Sequence, residues 1–168
     1  RQSTAEKIKK EIGSQWAATQ YIAGPVLNIP VTTIPADKDE KPKTMVWHIM
    51  PESLDISGNL NPEKRYWGIY QSVVYTSVLQ LKGQFSLPEP SEVQNLQIHW
   101  NDAYITIGIS DNRGLKGDVK IRTDSLLLWA EPGVRDQDIF QSGITFSYPV
   151  SMNKKNINYN IDLNLSGS

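Results

Sequence analysis

The feature that most constrains the fold of this chain is the alternation of apolar and polar residues in its last segment. Ile157, Tyr159, Ile161, Leu163 and Leu165 are apolar, and the positions between them hold asparagines and one aspartate. Alternate side chains of a β-strand point to opposite faces, so a period of two predicts one buried and one solvated face. The segment therefore predicts an amphipathic strand.

The same period occurs earlier in the chain, over a longer stretch. Its apolar members are the odd positions Ile69, Val73, Tyr75, Leu79, Leu81 and Phe85. This stretch begins with Arg65-Tyr66-Trp67-Gly68-Ile69-Tyr70, in which Gly68 indicates a bulge or a close backbone approach. We predict a long, central strand that begins near Tyr66.

Two further segments have strand character with special features. The apolar stretch from Tyr21 to Val31 contains Pro25 and Pro30, and proline cannot donate the amide that a central strand needs. We therefore expect this segment to be an edge strand or a bulged one. Leu126 to Trp129 is expected to be a buried strand, with Trp129 in the core.

The N-terminal segment has a helical pattern instead. Ser3 and Glu6 form a capping box, and the apolar residues that follow have spacings of three and four. The chain is expected to be a single domain, 1–168, with an N-terminal helix region at 1–19 and a β-rich body at 20–168. The strands follow each other too closely for crossover helices. The sequence predicts a mainly β, antiparallel, β-sandwich-like domain with one N-terminal helix, α+β by strict count.

Composition excludes several classes of function. The 168 residues carry a formal net charge of -1, which argues against a nucleic-acid partner. Cysteine is absent, so disulfides and thiolate metal sites are excluded. Neither histidine, His48 or His99, has a metal-ligand spacing around it, and the chain lacks a GxSxG elbow. We expect no catalytic residue, no metal and no cofactor, and hence a domain that is not an enzyme.

Aromatic residues leave two alternatives open. Trp67, on the polar parity of its strand, and Trp100, in a loop-like stretch, could be exposed and bind a glycan such as peptidoglycan. A hydrolase acting on envelope material is the other alternative. His99 would be the residue to test for it, because His99 adjoins Trp100 and Asp102.

Five motifs follow one another along the chain. They are Gln20-Tyr21-Ile22-Ala23-Gly24-Pro25-Val26-Leu27-Asn28-Ile29-Pro30, then Pro51-Glu52-Ser53-Leu54 with Gly58-Asn59-Leu60 and Arg65-Tyr66-Trp67-Gly68-Ile69-Tyr70, then Gly83-x-Phe85, then Ile109-Ser110-Asp111-Asn112-Arg113-Gly114, and finally Leu163-Asn164-Leu165-Ser166-Gly167-Ser168. Together and in this order they resemble the motifs of the CreD family of bacterial inner-membrane proteins, also described as cell-envelope integrity proteins. Trp67 departs from the family pattern, because it stands where a basic residue is expected.

The resemblance implies a topology and a setting. It implies a membrane helix before this segment, several after it, and a periplasmic domain between them, in a protein associated with envelope stress. The expected partners are an envelope protein or the parent's own membrane segments. The candidate interaction residues are Arg65, Trp67, Gly68, Tyr70, Trp100, Asp111, Arg113 and Gly114. We also expect an arginine among them to make a charge-assisted hydrogen bond that holds a turn to a strand.

Overall fold

A computed structural model describes residues 20–62, 68–89, 94–115, 117–151 and 153–165. The predicted helix at 1–19 lies outside these residues, as does Tyr66. Within them the chain forms eleven strands: β1 (Gln20–Thr33), β2 (Thr44–Ile49), β3 (Ser53–Pro62), β4 (Gln71–Ser86), β5 (Leu96–Ile98), β6 (Tyr104–Ile109), β7 (Lys120–Thr123), β8 (Leu127–Trp129), β9 (Glu131–Pro132), β10 (Gly143–Ser147) and β11 (Asn156–Asn164).

The strands form one hydrogen-bonded network in which the paired strands are antiparallel. Its main order is β8-β7-β11-β4-β1-β6-β10-β9, with β2 and β5 paired to β1 and β3 paired to β4. Only Ala130 separates β8 from β9, so the two ends of this order meet and the sheet curls around one core. The prediction of a mainly antiparallel β fold is confirmed, and the curled sheet is compatible with a sandwich-like arrangement.

The two predicted alternating segments are neighbours at the centre of the sheet. β11 pairs with β4 over its whole length, with Ile161 opposite Leu81 and Leu163 opposite Leu79. These four side chains are buried, which confirms the amphipathic pattern and the central position of the long strand. The described strand begins at Gln71, five positions after the predicted start.

A glycine allows these two strands to pack closely with a third. Gly83 lies opposite Tyr159 in β11 and opposite Leu54 in β3. A Cβ at Gly83 would overlap the Tyr159 phenol and come 2.7 Å from its Cζ atom. The glycine thus makes room for the Tyr159 ring, whose centroid lies 4.9 Å from that of Phe85.

β1 is a central strand with a bulge, so of the two predicted alternatives, an edge strand or a bulged one, the bulged strand is confirmed. β1 pairs with both β4 and β6, and its register with β6 shifts between Ala23 and Val26. Gly24, with φ +101°, and a cis bond to Pro25 lie within this irregularity. Because Pro25 falls in the bulge, its missing amide does not interrupt the regular ladder.

The prediction that Leu126–Trp129 is a buried strand is also wrong. Leu127 and Trp129 are 49% and 50% exposed, and only Leu128 between them is packed against the core. Trp129 pairs with Lys120, whose ammonium lies 4.4 Å from the centre of the indole ring. The apolar run could not be assigned to a face from sequence because all its residues are apolar.

Candidate functional site

The first and fourth motifs meet at the start of β1. Gln20, which is 5% exposed, donates from Nε2 to the carbonyl of Asp111 at 2.9 Å. Its Oε1 accepts from the Ser110 hydroxyl at 2.8 Å and from the Asp111 amide at 3.1 Å. A Cβ at Gly114 would overlap Nε2 of Gln20, so a larger residue there would displace this amide from the Asp111 carbonyl. Gly114 therefore leaves room for the hydrogen bonds of Gln20.

The turn of the fourth motif is held by its own charges. The Asp111 carboxylate caps a 3-10 turn, Asn112–Gly114, and binds the Arg113 guanidinium at 2.9 to 3.2 Å. These side-chain and backbone hydrogen bonds from Arg113 lower the pKa of Asp111. The predicted charge-assisted bond is thus present. Arg113 does not have the predicted role, because its bond lies within the turn and the neutral Gln20 holds the turn to the strand. For Arg65, which lies outside the described residues, the role stays a prediction.

The second motif adjoins the first. Gly68 has φ +78° in the turn before β4, a conformation that glycine adopts without strain. The amide of Gly24 donates to the carbonyl of Tyr70 at 3.2 Å. This contact lies two residues after Gly68, so the bulge or close backbone approach expected at Gly68 itself stays a prediction. Arg65 and Trp67 lie outside the described residues.

The fifth motif reaches the same end of the fold. Leu165 forms an antiparallel bridge with Leu115, one residue after Gly114. Parts of four of the five motifs, residues 20–24, 68–70, 109–114 and 165, therefore lie around the start of β1 and the end of β11. The other, Gly83-x-Phe85, lies in the core between β3, β4 and β11. The motif-rich end, as we call residues 20–24, 68–71, 109–115 and 165, is thus assembled from distant parts of the chain.

An open cleft of about 500 Å³ lies at the motif-rich end. Its lining is mainly apolar: Tyr21, Ile22, Ala23, Gln71, Gly108, Ile109, Ser110, Ile139, Phe140, Gln141 and Ser142. Phe140 packs over two glycines, since a Cβ would come 3.3 Å from its ring at Gly24 and 2.5 Å at Gly108. A concave apolar surface with polar groups at its margin is suited to holding an apolar ligand or segment.

A second cleft, of about 520 Å³, contains the residues that carry the glycan and hydrolase alternatives. Trp100 begins a 3-10 turn, Trp100–Asp102, and is half-buried against the core, so it does not offer a fully exposed ring. His99 Nε2 lies 2.7 Å from the Thr32 hydroxyl. Among the described residues, the other ring nitrogen of His99 has no hydrogen-bond partner.

The structure also contains a cluster of polar groups that the sequence did not predict. His48 in β2 lies 2.9 Å from an Asp138 oxygen and 4.0 Å from an Asp136 oxygen, measured from its Nε2. Its Nδ1 lies 2.6 Å from Oδ1 of the buried Asn28. The aspartates come from the loop between β9 and β10, about ninety positions later, and no local spacing could have indicated the contact.

The tyrosine beside this cluster has a strongly perturbed phenol. Tyr104 donates to Asp136 Oδ2 at 2.5 Å. Burial raises the pKa of Tyr104 above its usual value, and the hydrogen bond to Asp136 raises it further. Tyr104 therefore acts as a hydrogen-bond donor that fixes the orientation of the Asp136 carboxylate.

Comparisons with known proteins agree on one family. The family model described as "Inner membrane protein CreD" matches residues 1–168. The inner membrane protein CreD of Escherichia coli (strain K12) is 31% identical over 170 residues, which cover 96% of this chain and 37% of that protein. The chain thus spans little more than a third of this relative. No solved structure matches it. Within the described residues, none of the helices has the length and apolar character needed to cross a membrane.

Proposed function

The chain belongs to the CreD family of inner membrane proteins, and from this premise we propose that it is a non-catalytic periplasmic domain that docks on the membrane segments of its own parent protein. The convergence of the first and fourth motifs at one open apolar cleft, beside the end of β11, carries this proposal. Binding sites are typically concave and mainly apolar, with a few polar groups that fix orientation.

The positions of residues 20 and 165 support the choice of partner. Gln20 binds the Asp111 backbone, and Leu165 pairs with Leu115 four positions further along. The start of β1 and the end of β11 therefore lie on the same turn. If membrane helices precede and follow this segment, as the family topology implies, both connections leave from the motif-rich end, which then faces the membrane.

Apolar side chains at the margin of the cleft fit such a partner. Tyr21 is 43% exposed and lies beside Ile139 and Phe140 in the lining. Burial of exposed apolar surface stabilises an association by about 25 cal/mol per Å². A helical segment that leaves the bilayer can offer an apolar surface that packs against this cleft.

Photo-crosslinking in the full-length parent protein tests this proposal. A photoreactive phenylalanine analogue would replace Tyr21 or Gln141 at the cleft, and Asp39 as a matched control. Asp39 is exposed in the loop after β1, at the opposite end of that strand. We expect adducts with the parent's membrane segments from positions 21 and 141 and none from position 39.

Other results would change or contradict the proposal. Adducts with a separate envelope protein would support an interaction domain but exclude the parent as its partner. Equal adducts from positions 21 and 39 would show random encounters and overturn docking at the cleft.

A glycan-binding domain is the second candidate, because the cleft at 98–102 combines Trp100 with polar side chains. Asn101 and Asp102 are exposed there, so alanine substitutions at these positions should leave the fold intact. Co-sedimentation of the chain with purified peptidoglycan, lost in both variants and retained in Gln141→Ala, would favour this candidate over docking on the parent.

A further inference from the structure

We propose that His48, Asp136 and Asp138 form a binding site for a divalent transition-metal cation of the zinc class. One nitrogen and two carboxylate oxygens from these residues lie within 4.8 Å of one another. Imidazole nitrogen and carboxylate oxygen are ligands that Zn²⁺ accepts in proteins. The site is separate from the motif-rich end and does not depend on the docking proposed above.

The orientation of Asn28 fixes the tautomer of His48. Asn28 Nδ2 faces the carbonyls of Val26 and Tyr104 at 3.2 Å and the Thr106 hydroxyl at 2.9 Å. Rotating the amide would place its oxygen against two carbonyl oxygens, so Oδ1 must face His48. Because Oδ1 only accepts hydrogen bonds, His48 Nδ1 donates to it.

A neutral His48 therefore directs the lone pair of Nε2 at the carboxylates. Nε2 lies 2.9 Å from Asp138 Oδ2, and a lone pair and a carboxylate oxygen at this distance repel each other. Either a proton or a cation must lie between them. A histidine that donates one ring N–H to a protein oxygen and presents the other nitrogen is the usual arrangement of a metal ligand.

The charges around the cluster favour a cation. Two carboxylates face one imidazole, and the nearby Arg135 is engaged elsewhere. Its guanidinium binds the Ser147 hydroxyl, lies 3.9 Å from Glu131, and stacks 5.0 Å from the centre of the Tyr104 ring. A divalent cation bound between Asp136 and Asp138 would balance their two negative charges, because the Arg135 guanidinium is directed at other groups.

Hydrogen bonds from surrounding residues orient the proposed ligands, and the ligand distances lie close to those around a small cation. Bonds of about 2.0 to 2.2 Å to tetrahedral zinc place ligand atoms roughly 3.3 to 3.6 Å apart. The Nε2–Asp138 and Nε2–Asp136 distances, 2.9 and 4.0 Å, lie on either side of this value. Tyr104 holds Asp136 as Asn28 holds His48, and such outer partners orient metal ligands.

A cation here would connect β2 to the loop 133–142. That loop also carries Phe140, which covers Gly24 and Gly108 in the apolar cleft. The site would therefore hold the loop against the sheet without a covalent link, in a chain that has no cysteine.

Zinc titration of the untagged 168-residue chain tests the site. Calorimetry with ZnCl₂ should give one binding event, weakened at least roughly tenfold in His48→Gln and in Asp138→Asn. The Asp138 side chain is 59% exposed, so its amide variant should keep the fold. His99→Gln and Asp102→Asn are the matched controls and should bind as the wild type does.

Nitrogen-15 spectra of the histidines give a readout that a purely structural role would not change. Zinc should shift Nε2 of His48 and leave both nitrogens of His99 unaffected. Absence of binding, or binding that survives Asp138→Asn, would show that His48 and Asp138 form only an ion pair and would overturn the proposal. Binding lost equally in His99→Gln would place the zinc elsewhere and overturn it as well.

Discussion

Gln20 and Asp111 lie 91 positions apart and are joined by two hydrogen bonds between the side-chain amide of one and the backbone of the other. The amide both donates and accepts, as a neighbouring strand would do. It therefore extends the pairing of β1 onto Asp111, which lies beyond the end of β6. Because Gln20 is 5% exposed, an apolar side chain that fills its place would leave the Asp111 backbone groups without the partner that Gln20 supplies.

We predict that Gln20→Leu lowers the free energy of unfolding by about 1 to 3 kcal/mol, because the Ser110 hydroxyl and the Asp111 backbone lose the partner that the buried Gln20 amide supplies. Chemical denaturation measures this loss. Gln137→Leu is the control, since Gln137 is exposed, and should change stability by less than about 0.5 kcal/mol. Equal losses in both variants would contradict the role given to Gln20.

Gly108 and Phe140 should be energetically coupled. A Cβ at Gly108 would come 2.5 Å from the Phe140 ring, so Gly108→Ala should cost about 1 to 3 kcal/mol. In a Phe140→Ala background the same substitution should cost at least about 1 kcal/mol less, because the ring is gone. Denaturation of the two single variants and the double variant completes the cycle. Additive losses would mean that Phe140 does not pack on Gly108.

The Asp111–Arg113 pair should add stability only above acidic pH. Hydrogen bonds from Arg113 lower the pKa of Asp111 in the folded state, so the carboxylate is stabilised there relative to the unfolded chain. That contribution is present above the unfolded pKa of about 4 and is lost as the pH falls through the lower folded value. Arg113→Gln should therefore lower the melting temperature slightly at pH 7 and have a smaller effect at pH 3. An effect that grows on acidification would contradict this sign.

Trp129 should contribute little to stability although it is a large aromatic residue. It is 50% exposed, and its described contact is with Lys120 at 4.4 Å. Trp129→Ala should cost about 1 kcal/mol or less, the size of an exposed cation–π contact. Ile121 on the inner face of the same hairpin is fully buried, and Ile121→Ala should cost about 2 to 5 kcal/mol. A larger loss at Trp129 than at Ile121 would reverse our assignment of faces.

The parts of the fold that the sequence predicts are those in which one period dominates. β11 and β4 alternate over many positions, and a shift by one residue would expose every apolar side chain, so the pattern determines the face. Leu126 to Trp129 has no polar residue to mark the outer face, and the prediction of a buried strand there was wrong. The prolines of β1 left an edge strand and a bulged strand as alternatives, because the bulge that accommodates Pro25 depends on pairing with β6.

The candidate sites were less accessible to sequence analysis because they depend on contacts over long separations. Asp111 and Arg113 were identified from their motif. Gln20, which holds their turn, was not, because an uncharged glutamine is not distinguished in the sequence as a candidate partner. No residue near His48 in the sequence has a spacing typical of metal ligands. Asp136 and Asp138 lie close to His48 only because the loop between β9 and β10 approaches β2. A site whose residues are brought together by tertiary contacts has no characteristic residue spacing in the sequence.

We predict that the chain has no hydrolytic activity, and the test centres on His99. Its Nε2 lies 2.7 Å from the Thr32 hydroxyl, a distance at which a histidine can activate a nucleophile. Such a base also needs a third group that orients its other nitrogen, and none of the described residues supplies one to His99. Incubation with peptidoglycan, ester and peptide substrates should therefore give no turnover. Turnover lost in both His99→Ala and Thr32→Ala, but retained in His48→Ala, would establish a hydrolase at this cleft and contradict the non-catalytic function.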